Sequence, residues 1–292
     1  MEKRQLGSNT ASLADYSLFD AIDTIKRMGF STIELLAFCD ARHSIGNLAG
    51  FWFSKLSEAE KNSLKDEITS FYGVTVHAPF IDIPLMTYNS AVQQLAIAQI
   101  CEAIDAASFL NGSLVTIHLN AKTSYQLHEQ WDEMVLVSRF LGDYAAEQNV
   151  SIGIETGFPP QVDDFVKLIK DIDHDAVGAN IDVGHLTGSV DSQLRCTDEG
   201  CAMYNENLIE LTSQLGGKVY HLHLHDVRAS DWRDHRQVGT GIIDFRRLFS
   251  VLDSFNYTGL MTFELEEPKK EEALQQSKKY IEDIILTTLK FK

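Results

Sequence analysis

The chain has 292 residues, 44% hydrophobic and 23% charged, with a formal net charge of −17. That composition suits a globular protein with a sizeable core, and the acidic balance argues against nucleic acid or an anionic membrane as partner, since either needs a broad basic face. No apolar signal core opens the chain and no run is long enough to span a membrane. Cys39, Cys101, Cys196 and Cys201 show neither a disulfide framework nor Cys-x-x-Cys spacing. They are expected to be reduced thiols in a cytoplasmic protein.

In chain order, Arg4 to Asn9 is a weak first strand. Leu18, Ile22, Ile25 and Met28 recur at helical spacing up to Gly29, and Ser31 to Phe38 reads as a strand. After a loop rich in aromatics and glycine comes a polar helix over Ser57 to Phe71, opened by Ser57 and Glu60 at capping-box spacing. Strands are then expected over Val74 to Pro79, Ser113 to Asn120, Val150 to Glu155, Ala176 to Asp182, Val219 to Asp226 and Leu260 to Glu266. The intervening helices run over Asn89 to Leu110, Gln130 to Gln148, Val162 to Ile172, Met203 to Leu215 and Phe245 to Phe255. An amphipathic helix from Glu271 to Leu289 closes the chain. About eight strand–helix alternations without a proline-rich linker predict one domain over residues 1–292. The predicted fold is α/β, a closed (β/α)8 TIM barrel with eight parallel strands and outer helices, favoured over an open doubly wound sheet. No dinucleotide-binding glycine motif follows the first strand, and no phosphate-binding P-loop occurs.

Strand alternation assigns the polar residues to one face. In His221-Leu222-His223-Leu224-His225 the imidazoles share one side. Glu34, His77, His118, Glu155, Asp182 and Glu264 each stand beside apolar neighbours that take the outward parity. From His77 through His118, Glu155, Asp182 and His223 to Glu264 the intervals are 41, 37, 27, 41 and 41 residues, each about one strand–helix unit. Successive strands thus aim histidines and carboxylates at the C-terminal end of the barrel, where the chemistry of this architecture lies. Unpaired carboxylates crowded there would repel one another, and a divalent cation relieves that conflict. Glu34 alone reads as a polar plug or a substrate contact.

These residues also resemble a family: the xylose isomerase-like TIM barrels, which include sugar and sugar-phosphate isomerases and epimerases and endonuclease IV. The resemblance rests on Val-His-Ala-Pro-Phe at 76–80, Ile-Glu-Thr at 154–156, Ile-Asp-Val-Gly-His at 181–185 and His-Leu-His-Asp at 223–226. It continues in Gly-Thr-Gly-Ile-Ile-Asp-Phe at 239–245 and Phe-Glu-Leu at 263–265. The resemblance implies that Glu155, Asp182, His223 and Glu264 hold one divalent ion, and the mixed oxygen and nitrogen set suits Mn, Mg, Co or Zn. It further implies proton abstraction from a carbohydrate through a metal-stabilised enediolate, with Glu155 and Glu264 as the catalytic acid and base. The substrate would be a sugar, an inosose or a sugar phosphate, and a homo-oligomer is in keeping with the family.

Two alternatives share the scaffold. One is a metal-dependent dehydratase or lyase, in which the enolate loses water. The other is an endonuclease IV-like phosphodiesterase with a multinuclear zinc site. His77, His118, His185 and His235 stand at matching motif positions for the latter, although Arg233 occupies the place of its acidic companion. His77, His118, His185, His225, His235 and Arg236 are therefore candidate substrate contacts or second-metal ligands. Arg233 and Arg236 are candidates for binding a phosphate or carboxylate, Phe51-Trp52-Phe53 for a lid, and Gly239 and Gly241 for a tight turn beneath the site. His221 is expected to be a core residue behind the ligands.

Overall fold

The computed structural model describes residues 1–39, 42–43, 46–119 and 126–288. Asn120 and Leu289, the expected ends of a strand and of the last helix, lie outside them. Eight strands close a barrel: β1 (Leu6–Asn9), β2 (Thr32–Leu36), β3 (Gly73–His77), β4 (Leu114–Ile117), β5 (Ser151–Glu155), β6 (Val177–Asp182), β7 (Val219–Leu224) and β8 (Leu260–Phe263). Each pairs in parallel with its sequence neighbours, and β8 returns to β1. The crossovers are α1 (Leu18–Arg27), α2 (Glu58–Ile68), α3 (Ser90–Phe109), α4 (Leu127–Glu147), α5 (Val162–Ile172), α6 (Asp198–Leu215) and α7 (Phe245–Ser254), with α8 (Lys270–Thr288) after the last strand. The expected closed parallel barrel is the fold observed.

Local chemistry explains most boundaries. At the start of α2 the Ser57 N–H donates to Glu60 Oε2 (2.8 Å) and the Glu60 N–H to Ser57 Oγ (3.3 Å), so two orphan donors are satisfied reciprocally. Helix α6 begins five residues before the expected Met203, because Thr197 Oγ1 caps it by accepting the Gly200 N–H at 3.1 Å. Its first turn carries Asp198 and Glu199, which suit a helix N-terminus but lack the apolar periodicity that marks a helix in sequence. Strand β8 ends at Phe263, so Glu264 sits just beyond the ladder rather than within it.

Parity divides the strands as the alternation implies. Ile33, Leu35, Val76, Ile117, Ile154, Ile181, Leu222, Leu224 and Phe263 are buried in the apolar core, between barrel and helices. The opposite parity fills the interior with polar groups. Thr116 Oγ1 on β4 donates to Glu34 Oε1 on β2 (3.1 Å), and Asn180 Nδ2 on β6 reaches Thr116 Oγ1 (3.4 Å). A barrel interior is ordinarily packed with branched apolar residues; this one is a polar network beneath the mouth. One irregularity helps to aim it. Ala179 pairs with Val219 but Asn180 pairs with His221, so Tyr220 is an extra residue in β7. Such a bulge re-aims the side chains that follow it, here bringing His221 and His223 into step with Asn180 and Asp182.

Candidate metal centre at the mouth of the barrel

His223, fully buried, stands at the centre of the carboxylates. Its Nδ1 lies 2.8 Å from Glu264 Oε2, 3.4 Å from Glu155 Oε2 and 3.7 Å from Asp182 Oδ2. On the other side of the ring, Nε2 is 2.9 Å from Glu34 Oε2. His223 Nδ1, Asp182 Oδ2 and Glu264 Oε2 are buried, and beyond the ion-pair contacts at this centre they have no well-aligned hydrogen-bond partner among the described residues. Buried charged groups with so few partners are costly. Three such atoms, two anionic, turned towards one point from three strands or strand ends, fit a cation.

The charges around these residues support that fit. Burial disfavours ionisation of Glu155, yet His118, His223, His185 and His77 hold its carboxyl well below the ordinary range. Burial likewise opposes the Asp182 carboxylate, and His185 and His225 lower it well below its usual value. Burial opposes protonation of His223, but Glu34, Glu264 and Glu155 raise its pKa well above the ordinary value. The same opposition at His185 is outweighed by Asp182 and Glu155, and its pKa rises to about 10. The carboxylates are thus balanced by imidazolium protons, which a divalent ion would displace.

Two further groups adjoin this centre. His77 Nε2 and His118 Nε2 each lie 3.3 Å from Glu155 Oε2 and 3.4 Å from each other. The His77 Nδ1 is 2.9 Å from the Ala78 carbonyl, which only accepts, so Nδ1 donates and Nε2 is the atom turned to the cluster. Burial lowers the His118 pKa to about 4, leaving it neutral at pH 7 and suited to ligation. On the opposite flank His185 Nδ1 is 2.9 Å from Glu155 Oε1. Asp234, which the spacing did not single out, lies between two histidines: 3.1 Å from His235 Nδ1 and 3.9 Å from His185 Nε2. An acidic companion for His185 and His235 therefore exists one residue after Arg233, and a left-handed backbone at His235 (φ +54°) follows it.

The loop after β7 is organised by Asp226. Its carboxylate accepts the N–H groups of Gly239 and Gly241 at 2.9 Å each on Oδ2, and of Val227 (2.9 Å) and Ile243 (3.1 Å) on Oδ1. A side chain at Gly241 would place its Cβ 2.2 Å from the Val227 carbonyl oxygen, so the tight turn expected of these glycines forms around the carboxylate. Arg236 is buried and reaches Glu266 (3.5 Å) and Glu267 (3.4 Å), while the more exposed Arg233 also meets Glu266 (3.3 Å). These arginines tie the loop to the exit of β8 and offset its two acidic residues. Trp232 packs edge-on against Tyr204 at 5.5 Å, and Phe51 lies in the core with Phe53 against Phe109 at 5.6 Å. The Phe51-Trp52-Phe53 segment packs onto the barrel, with Trp52 against the cluster of Leu36, Phe38 and Leu48 that also lines the cavity. His221 is buried 3.7 Å from Glu34, behind His223.

Above these groups is a cavity of about 190 Å³. It is lined by His77, His118, Glu155, His185, His235 and Glu264 together with the apolar Leu36, Phe38, Leu48, Phe80 and Leu265.

The profile of the xylose isomerase-like TIM barrels matches residues 22–284. The chain belongs to that family. It is similar to an inosose dehydratase of Geobacillus thermodenitrificans (strain NG80-2), 24% identical over 194 residues that cover 58% of each chain. The matches to curated relatives span 64% and 58% of the relatives' own lengths. Among solved structures, a D-tagatose 3-epimerase-like protein superimposes with a TM-score of 0.74 at 20% identity, covering 97% of this chain and 99% of that one. The IolI protein with a bound zinc atom gives 0.73 at 18% identity, covering 96% and 97%. At these identities the structural likeness is one of fold. This member of the xylose isomerase-like family carries buried and part-buried clusters of His, Glu and Asp that could hold a metal ion. Among the described residues no helix is long and apolar enough to cross a membrane.

Proposed function

We propose that the protein is a metal-dependent isomerase or epimerase acting on a sugar, an inosose or a sugar phosphate. The observation that carries this reading is the convergence of His223 Nδ1, Asp182 Oδ2 and Glu264 Oε2, all buried and with little polar contact beyond one another, beside Glu155. Glu155, Asp182, His223 and Glu264 would hold the ion. Bound there, Mn²⁺, Mg²⁺, Co²⁺ or Zn²⁺ would supply a Lewis acid that polarises a substrate carbonyl and makes the adjacent C–H more acidic. Glu155 and Glu264 approach the centre from β5 and from the end of β8, so they address a substrate from different sides. The cluster lowers both pKa values, so the glutamate that removes the substrate proton does so as a carboxylate, and the other would return a proton drawn from a neighbouring imidazolium, such as His185 at 2.9 Å from Glu155. Return to the opposite face of the same carbon inverts it; return to the neighbouring carbon interconverts aldose and ketose. Leu36, Phe38 and Phe80 line the cavity and would help to keep bulk water from the deprotonated substrate.

The group His77–His118–Glu155, with Asp234 between His185 and His235, favours a second reading. These sets would take further ions, as in a multinuclear phosphodiesterase. The resemblance to inosose dehydratase supports loss of water as a third outcome of the same deprotonation. Metal analysis of the purified protein separates the first two: about one ion per chain is expected for the isomerase, and two or three zinc ions would overturn it in favour of the phosphodiesterase. Solvent-deuterium incorporation into a panel of ketoses and inososes then tests proton abstraction, with an unsaturated product marking the dehydratase.

A further inference from the structure

His225 lies among candidate ligands: one ligand atom from each of Asp182, His185, His225 and His235 falls within a 4.8 Å group. Its hydrogen bonds give it a different role. The backbone N–H of His235 donates to His225 Nδ1 at 2.8 Å. A backbone N–H cannot accept, and the Asp226 carbonyl oxygen lies further from Nδ1, at 3.4 Å, so the closer contact has Nδ1 presenting its lone pair and the ring hydrogen on Nε2. That Nε2 is 2.6 Å from Asp182 Oδ1. The Gly184 N–H donates to the same oxygen at 2.9 Å. Oδ1 therefore has two donors, whereas Oδ2 has none and faces His223 Nδ1 at 3.7 Å. Both nitrogens of His225 are committed.

The packing around the ring is equally specific. A Cβ on Gly184 would fall 1.9 Å from His225 Cε1, so the glycine of Ile-Asp-Val-Gly-His leaves the space that the imidazole occupies. The other side is covered by His235, stacked with ring centroids 4.2 Å apart and planes 11° from parallel.

We propose that His225 is a positioning residue for the metal centre and not one of its ligands: it holds Asp182 Oδ1 so that Oδ2 alone is offered to the ion. The inference rests on the metal-dependent reading above. It links the glycine after β6 to the last histidine of β7 as one device, and it removes His225 from any additional metal set, leaving His185, Asp234 and His235 on that flank. Partners that orient a ligand typically affect metal affinity by about tenfold to a hundredfold.

The test uses the full chain, titrated with Mn²⁺ and with Zn²⁺ against a competing chelator. His225→Leu is expected to weaken binding by about tenfold to a hundredfold. His225→Gln, whose amide can place a donor where Nε2 stands, is expected to restore most of the loss. Histidine NMR spectra of isotope-labelled wild type supply a measurement independent of any variant's folding. They are expected to show His225 with hydrogen on Nε2 before and after zinc is added, and a metal-induced shift at His223. Metal-induced displacement of the His225 nitrogens, or wild-type affinity in a folded His225→Leu protein, would overturn the proposal while leaving the metal reading intact. Failure of the wild type to bind either ion would overturn the metal reading and this one with it.

Discussion

Glu34 Oε2 lies 2.9 Å from His223 Nε2, with both side chains fully buried. The contact occupies the side of the imidazole away from the carboxylates, so the ring is held from behind while Nδ1 faces the mouth. Histidine ligands are generally oriented through their second nitrogen, and here the orienting group is a charge sunk in the barrel floor. Replacing Glu34 with Ala would leave His223 without its compensating anion, and breaking a buried pair on one side costs about 3–5 kcal/mol. A loss of that order is expected in urea denaturation of the metal-free protein. An unchanged midpoint would show that the contact has no energetic weight.

The raised pKa of His185 predicts how stability changes with pH. Burial works against its protonation, but Asp182 and Glu155 prevail and lift the pKa to about 10, against about 6.5 in the unfolded chain. The stabilisation is therefore complete below about pH 6.5 and disappears as pH rises towards 10. In the presence of a chelator the melting temperature should fall across that window, and His185→Gln should flatten the fall. A profile equally steep in the variant would assign the effect to another group.

Metal loading should release protons. His185 and His223 carry raised pKa values in the metal-free protein, whereas burial keeps His118 near 4. A ligand must shed its proton before it binds, so zinc titrations at pH 7 in buffers of different ionisation enthalpy should report net proton release. His118→Gln should leave the release at the central site unaltered. No buffer dependence would contradict a protonated resting cluster.

Glu264 stands just past the end of β8, within 2.8 Å of His223 Nδ1. Glu264→Gln keeps the shape of the side chain but removes the base. Solvent-deuterium exchange into a substrate ketose is expected to slow by about 10²–10⁴-fold, with weakened metal binding. Wild-type exchange and affinity together would sink the assignment of this residue.

The carboxylate of Asp226 accepts four backbone N–H groups and the loop from Val227 to Ile243 turns around it. Asp226→Ala strands several buried donors, each worth about 1–3 kcal/mol. Destabilisation of at least about 3 kcal/mol is expected, with faster proteolysis in residues 227–243. Cleavage at the wild-type rate would mean that the loop is held by its arginine contacts to Glu266 and Glu267 instead.

The alternation of strand and helix patterns by itself determined the barrel, because parallel strands need helical crossovers, and within each strand a period of two turns apolar residues outward and leaves the inward positions free. That same period of two brought Glu155, Asp182 and His223 into view, since strand parity fixes direction without knowledge of what lies opposite. Glu264 was legible for the same reason, even though its strand ends one residue earlier. Loops carry no such period. That Asp234, and not a residue in the usual spacing, stands between His185 and His235 depends on the backbone turn at His235. The burial of Arg236 against Glu266 and Glu267 joins elements 30 residues apart. The three imidazoles of β7 show the division most clearly. Their common face followed from alternation, but their separate partners did not. Glu34 and three carboxylates surround His223, His221 lies beneath, and His225 is locked between Asp182 and a backbone N–H. Those partners come from strands and loops distant in sequence, and only closure of the barrel brings them within hydrogen-bonding reach.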